Sequence, residues 1–161
     1  MENPPDRPQT IDKLRFAADS AFAMLAGMQL DVFSPMKDGP ASAEQIATAI
    51  GTKTDRLRLL LWALVAAGLL IEKDGRFANT AEANQFLVKG SPSYIGNIHA
   101  LLSHRWVANL PKIAESIRTG VPQAKVDFAK SSSQELETFL RRINLLTLTA
   151  AHALLQRYDF S

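Results

Sequence analysis

The chain of 161 residues contains no cysteine. Disulfides, thiolate catalysis and cysteine-ligated metals are therefore excluded. No apolar run approaches the roughly 20 residues that a membrane-spanning helix needs, and the opening stretch MENPPDRPQT lacks the apolar segment of a signal peptide. These features make the cytoplasm the expected location and a membrane partner an unexpected one. No charge of one sign dominates: 18 Lys and Arg face 16 Asp and Glu, a net charge of +2. That is a weak electrostatic footprint for nucleic acid, although a sequence pI of about 9.0 leaves the question to the motifs. The chain also lacks G-x-G-x-x-G, G-x-x-x-x-G-K-[ST], a nucleophile elbow and H-E-x-x-H. No phosphate cradle and no catalytic constellation is encoded. The histidines are His99, His104 and His152. The first two are spaced to fall on different faces of a helix, and three scattered imidazoles make a poor metal site.

What is present is apolar and helical. Apolar residues make up 47% of the chain and charged residues 21%, as in an ordinary globular domain with a sizeable core. The stretch from Ser42 to Thr80 organises the rest. Ser42 and Gln45 have capping-box spacing, and Gly51 can end the helix Ala43–Ile50 in the left-handed conformation. Thr54 is the expected cap of a second helix running to about Gly68. Leu70–Lys73 and Arg76–Asn79 then flank Asp74-Gly75, the pair expected in a tight hairpin turn. Helix, turn, helix and hairpin make a winged helix. The expected fold class is mainly α, with this winged-helix core and one small β-hairpin between an N-terminal helix and a long C-terminal helix.

The second helix argues against DNA. Leu57, Leu60, Leu61, Leu64 and Gly68 share one face, while Leu59, Trp62, Ala63 and Ala66 fill much of the remainder. Asp55, Arg56 and Arg58 are confined to the first turn. A helix reading a major groove keeps a polar or basic face for base edges and phosphates, whereas one apolar nearly all round is expected to be covered on nearly all sides. Either it is a core helix of one domain, or its second face packs on a second subunit.

Ahead of this stretch, residues 1–9 are expected to be a flexible arm. Thr10 would cap a helix over Ile11–Leu30 whose core stripe is Leu14, Ala17, Ala18, Ala21, Phe22, Leu25 and Met28. Ile11, Phe16 and Met24 lie off that stripe, which suggests either a second subunit or an overlying loop. Val32, Phe33 and Met36 are expected to close the base of the winged helix. After it, Thr80 starts a short helix over Ala81–Leu87, and Ser91-Pro92-Ser93 opens another. Pro111 should kink or break the helical pattern that follows, and Gly120 should end it. Ser132 and Glu135 form a second capping box, opening a long helix over 133–158. His104, beside Arg105 and Trp106, reads either as a surface histidine or as a polar group in a pocket walled by Trp106 and Phe139.

The order of these segments is more telling than any one of them. An apolar helix leads into LDVFSPMKDGPASAEQIATAIG, then DRLRLLLWALVAAGLL, then the wing EKDGRFANT, followed by SPSYIGN, RW…L…IRTG and YDFS. This succession resembles the N-terminal dimerisation region of S-adenosylmethionine-dependent O-methyltransferases of the plant caffeate and bacterial antibiotic-tailoring type, over about Leu14 to Ser161. The resemblance implies a homodimerising domain over 10–161. It also implies a cofactor, S-adenosylmethionine, held in the full-length enzyme by a Rossmann-like catalytic domain that is absent from these 161 residues. It further implies a small, aromatic, hydroxylated acceptor. Phe139 matches a family pocket residue, and Ile143 stands where the family usually has Met, which leaves an apolar wall. His104 and Trp106 fall in the segment resembling the acceptor cap, and Phe16 lies on the helix that in the family reaches a partner's pocket. Catalytic, cofactor-binding and metal residues are not expected in this chain. The rival readings are a DNA-binding winged-helix regulator and a stand-alone dimerisation module.

Overall fold

The computed structural model describes residues 7–95, 107, 109–123, 132–134, 136–137, 139–140, 154–155 and 157–158. The chain divides into two compact units, Met1–Gly96 and Asn97–Ser161.

The first unit opens with α1, Gln9–Leu30. It begins one residue before the expected cap: Pro8 occupies that position and no side chain bonds to the exposed amides. Thr10 is therefore a helical residue rather than a cap. The expected core stripe of α1 holds only at its end, where Leu25 is half-buried and Met28 buried. Leu14, Ala17, Ala18, Ala21 and Phe22 are exposed, and the buried positions are Ala23, Gly27 and Met28. The reason is steric. A Cβ at Gly27 would lie 3.1 Å from Leu64 Cδ1 and 3.2 Å from Phe33 Cε2, so the helix approaches the core where its residues are smallest. The periodicity argument followed the largest side chains instead.

The end of α1 is a Schellman-type cap. Asp31 takes the left-handed conformation at φ 61°, its amide bonds to the Met28 carbonyl at 3.2 Å, and the Val32 amide bonds to the Gly27 carbonyl at 2.9 Å. Aspartate is tolerated there because its side chain is held. Ser34 Oγ donates to Asp31 Oδ1 at 2.5 Å, and Lys89 Nζ lies 3.1 Å from Oδ2. A 3-10 turn over Ser34–Met36 follows, and Val32, Phe33 and Met36 are fully buried as expected.

The winged helix then forms as the sequence indicates, with one addition. A two-residue strand, β1 (Ala41–Ser42), pairs antiparallel with the hairpin. In α2, Ala43–Ile50, both halves of the capping box are made: the Ser42 amide donates to Gln45 Oε1 at 2.9 Å and the Gln45 amide to Ser42 Oγ at 3.2 Å. Gly51 ends it at φ 68°. The next helix, α3, spans Thr54–Ala66. Lys53 is its cap position and Thr54 its first helical residue, which corrects the expected cap. The helix stops two residues short of Gly68.

Strands β2 (Leu70–Lys73) and β3 (Arg76–Asn79) pair through Leu70↔Asn79 to Lys73↔Arg76, giving a sheet in the order β1-β3-β2. Asp74 (φ 53°) and Gly75 (φ 76°) are both left-handed, as the two-residue turn requires. Alternation puts Leu70 and Phe77 inward and Ile71 outward. Thr80 caps α4, Ala81–Phe86, through a 3.3 Å bond from the Ala83 amide. Asn79 Nδ2 ties the wing to the rest by donating to the Phe33 carbonyl at 2.9 Å and to Asn84 Oδ1 at 3.0 Å. Pro92 and Ser93 form a turn. The helix expected to open there, carrying Tyr94 and Ile95, does not: neither residue is helical, and the rest of that expected helix lies outside the described residues.

In the second unit, Pro111 sits at the start of a 3-10 turn over Leu110–Lys112, which leads into α5, Ile113–Thr119. Gly120 ends α5 at φ 67°. Both outcomes match the expected break and stop. The described parts of the expected 133–158 helix are helical at 133–134, 136–137, 139–140 and 154–155. Glu135, and with it the second capping box, lies outside the described residues, as does Phe128. Among the described residues no helix is long and apolar enough to cross a membrane, and no cluster of side chains is suited to a metal.

Candidate interaction surface

The core of the first unit is built on one side of α1 and one side of α3. Leu57, Leu61 and Leu64 are buried against Phe33, Ile46, Leu70 and Phe77, with Leu60 packed at the edge. The opposite side of α3 has no cover. Leu59 is 65% exposed and Trp62 52%, and Ala63 and Ala66 are exposed between them. The expectation that α3 is covered on nearly all sides therefore fails within the protomer: one face is core and the other is open. Trp62 is fixed on that open face by an edge-on contact with Phe77, ring centroids 5.7 Å apart at 80°.

The first two thirds of α1 add to this apolar surface. Ile11 (67%), Leu14 (66%), Phe16 and Phe22 are all exposed. Single exposed apolar side chains need no explanation, but helix faces carrying several large ones mark an interaction site. The polar residues on the same stretch of α1 bond mainly to one another: Arg15 lies 3.9 Å from Asp12 and 3.7 Å from Asp19.

The basic residues of the winged helix are partly engaged internally. Arg58 pairs with Glu44 on α2, and Arg76 donates to the Pro40 carbonyl at 2.6 Å and to Gln45 Oε1 at 3.3 Å. The Glu44 carboxyl is held below its ordinary value. Its own backbone amide is the largest cause, the Ser42 hydroxyl comes next, and Arg58 adds to both. Burial raises the Tyr94 hydroxyl, a shift that Lys89 opposes and Asp31 reinforces.

The expected site residues are distributed as follows. Phe16 is exposed on α1, in the first unit, and Phe139 is half-buried in a helical stretch of the second. His104, Trp106 and Ile143 lie outside the described residues. The second unit carries a groove of about 400 Å3 along α5, lined by Asn109, Lys112, Ile113, Ser116, Ile117, Gly120 and Pro122. Of the expected site residues that are described, neither Phe16 nor Phe139 is among these. The sequence reading missed Leu14 and Phe22 as surface residues. The available signal was the pair Ala23 and Gly27, small residues one turn apart that mark where a helix packs closely.

A family model described as the O-methyltransferase dimerisation domain matches residues 15–89. Residues 15–89 belong to the O-methyltransferase dimerisation-domain family. The match includes the open faces of α3 and most of α1. The chain is 31% identical over 103 residues to a 3-hydroxy-5-methyl-1-naphthoate 3-O-methyltransferase of Streptomyces sahachiroi, covering 64% of this chain and 30% of that protein. It is 33% identical over 84 residues to an N,N-dimethyltransferase of Streptomyces rimosus, covering 52% of this chain and 24% of that one. Among solved structures, human N-acetylserotonin methyltransferase in complex with S-adenosylmethionine superposes with a TM-score of 0.70 at 19% identity, over 98% of this chain and 51% of that one. The last likeness shows the fold. The chain spans about a third or less of the curated relatives it matches and about half of the structure.

The described residues do not fit a family-type site for S-adenosylmethionine. The described strands form only a small antiparallel sheet, and the sequence has no D-x-G-x-G loop in which backbone amides could cradle the cofactor.

Proposed function

We propose that this chain is the homodimerising and acceptor-capping part of an S-adenosylmethionine-dependent methyltransferase acting on the hydroxyl of a small aromatic acceptor. The observation that carries the dimer is the open apolar surface on α1 and α3; its α3 part and Phe16 and Phe22 of α1 lie within the segment matched by the dimerisation family, and Ile11 and Leu14 stand on the same helix just ahead of it. The cofactor would be held by the rest of the parent enzyme. The role of this chain's residues is to bind, orient and exclude water. Phe139 and Ile143 are proposed as apolar walls of the acceptor pocket, His104 and Trp106 as its cap, and Phe16 as a contribution from the partner subunit's helix. An aromatic acceptor, and oxygen as the methylated atom, are supported by the naphthoate 3-O-methyltransferase relative. DNA binding is not part of this reading, because the outward face of α3 is apolar where a groove-reading helix is polar.

Two substitutions on α3 test it. Trp62→Asp places a charge on the open face and should weaken the dimer by about 2 kcal/mol or more, roughly thirtyfold, while the protomer keeps its helical content. Leu64→Asp places the same charge in the core, where Leu64 is fully buried, and should unfold the unit. Sedimentation equilibrium with circular dichroism separates the two effects. A wild-type chain that is monomeric at every concentration tested, or a Trp62→Asp variant that dimerises as tightly as wild type, refutes the reading.

A further inference from the structure

α1 is unevenly supported along its 22 residues. Its last third is anchored by Ala23, Gly27 and Met28 and closed by the Asp31 cap, but every residue from Gln9 through Asp19 is exposed. Those residues extend the helix by about 16 Å at 1.5 Å per residue. Isolated helices of fewer than about 12–15 residues are marginal in water, and most helical stability in proteins comes from packing one face. This stretch has no packed face in the protomer. It contains Thr10, Ile11, Asp12, Phe16 and Asp19, all mediocre helix formers. It also lacks a side-chain cap, since Pro8 stands at that position. Two long, solvent-exposed ion pairs around Arg15 contribute little in compensation. The apolar residues Ile11, Leu14 and Phe16 nonetheless fall on this stretch.

We propose that Gln9–Asp19 folds on association: the segment becomes stably helical only when Ile11, Leu14 and Phe16 are covered by a second copy of this chain. The inference rests on the dimer reading above, and the second copy is the occupant because the dimerisation-family match begins at residue 15 and takes in Phe16 and the rest of α1, with Ile11 and Leu14 on the same continuous helix just ahead of it. Association then carries the ordering cost of two such segments, and anything that prepays that cost tightens the dimer.

The test uses the 161-residue chain. Hydrogen exchange is followed at the amides of Asp12 to Asp19, whose helical bonds begin with Asp12 N–H to the Pro8 carbonyl at 2.9 Å. In the dimer these amides should be protected. In dilute wild type or in monomeric Trp62→Asp they should exchange at nearly the rate of an unfolded chain, while amides near Gly27 stay protected. Lys13→Gly is then compared with Lys13→Ala, two variants that lose the same side chain and differ in helix propensity. If folding accompanies association, the Gly variant should dimerise about fivefold more weakly per helix, or roughly twenty-five-fold for the pair. Protection of Asp12–Asp19 in the monomer, or equal dimer affinities for the two Lys13 variants, overturns this inference and leaves the dimer reading standing. A chain that never dimerises overturns both.

Discussion

Gly27 is the point at which α1 meets the core, and its substitution gives a graded test of the packing. An added Cβ would sit 3.1 Å from Leu64 Cδ1 and 3.2 Å from Phe33 Cε2. Neither neighbour has space to move into, because Leu64 and Phe33 are each 0% exposed. Two effects compete in Gly27→Ala. Replacing a mid-helix glycine gains about 1 kcal/mol of propensity, while forcing a methyl into a filled core costs about 1–3 kcal/mol. The net expectation is a loss of about 0–2 kcal/mol. Gly27→Leu keeps the propensity gain but requires the helices to separate, and should cost more than about 3 kcal/mol. Leu64→Ala alone should cost about 2–5 kcal/mol through the cavity it leaves. In the Gly27→Ala background the new methyl partly fills that cavity, so the double variant should be less destabilised than the sum of the singles by about 1 kcal/mol. Urea unfolding followed by far-ultraviolet circular dichroism measures all four, at one protein concentration because association shifts apparent stability. A Gly27→Leu variant as stable as wild type, or a Gly27→Ala variant stabilised by about 1 kcal/mol with additive energies, would show that α1 does not pack on α3 through this residue.

Two further predictions follow from side chains at helix ends. Asp31→Ala keeps the left-handed backbone but loses the Ser34 bond and the Lys89 pair, and should cost about 1–2 kcal/mol. Asp31→Gly loses the same partners and also relieves the backbone, so it should be about 1 kcal/mol more stable than the Ala variant in the same melts. Glu44 gives a pH dependence of defined sign. Its folded value lies below the ordinary 4.5, so its contribution is present above that value and is lost as pH falls through the lowered one. Glu44→Gln should therefore shrink the stability difference between pH 6 and pH 3; an unchanged acid limb would refute the assignment.

The winged helix was legible because each of its parts is specified locally. Ser42 with Gln45, Gly51, and Asp74 with Gly75 are short-range signals whose partners lie within a few residues, and all three appear as read. The strand Ala41–Ser42 was not legible, since two residues carry no periodicity and the pairing to Arg76 and Phe77 is decided by tertiary structure. The facing of α1 was misread for a related reason. An amphipathic pattern identifies a core side only when a helix has one apolar side, and α1 has large apolar residues around most of its circumference. The true contact is marked by small residues, which a count of large ones passes over. The open face of α3 was legible as one of two alternatives, and choosing between them required the exposure of Leu59 and Trp62.

A winged helix normally gains its use from the outward side of its second helix. Whether that side meets nucleic acid or protein depends on its chemistry rather than on the fold. Here the charged residues Asp55, Arg56 and Arg58 stop after the first turn of α3, Arg58 is committed to Glu44, and the remaining outward positions are Leu59, Trp62, Ala63 and Ala66. Such a face gains nothing from phosphates and gains much from another apolar surface. α1 supplies a surface of that kind without weakening the protomer. It is fastened at one end by Gly27 against Leu64 and by Asp31 between Ser34 and Lys89, so its other end needs no internal partner. A helix anchored this way can serve the core and a second subunit at once. This follows from where the small and the large residues fall along α1, and it accounts for a core stripe confined to the last third of the helix.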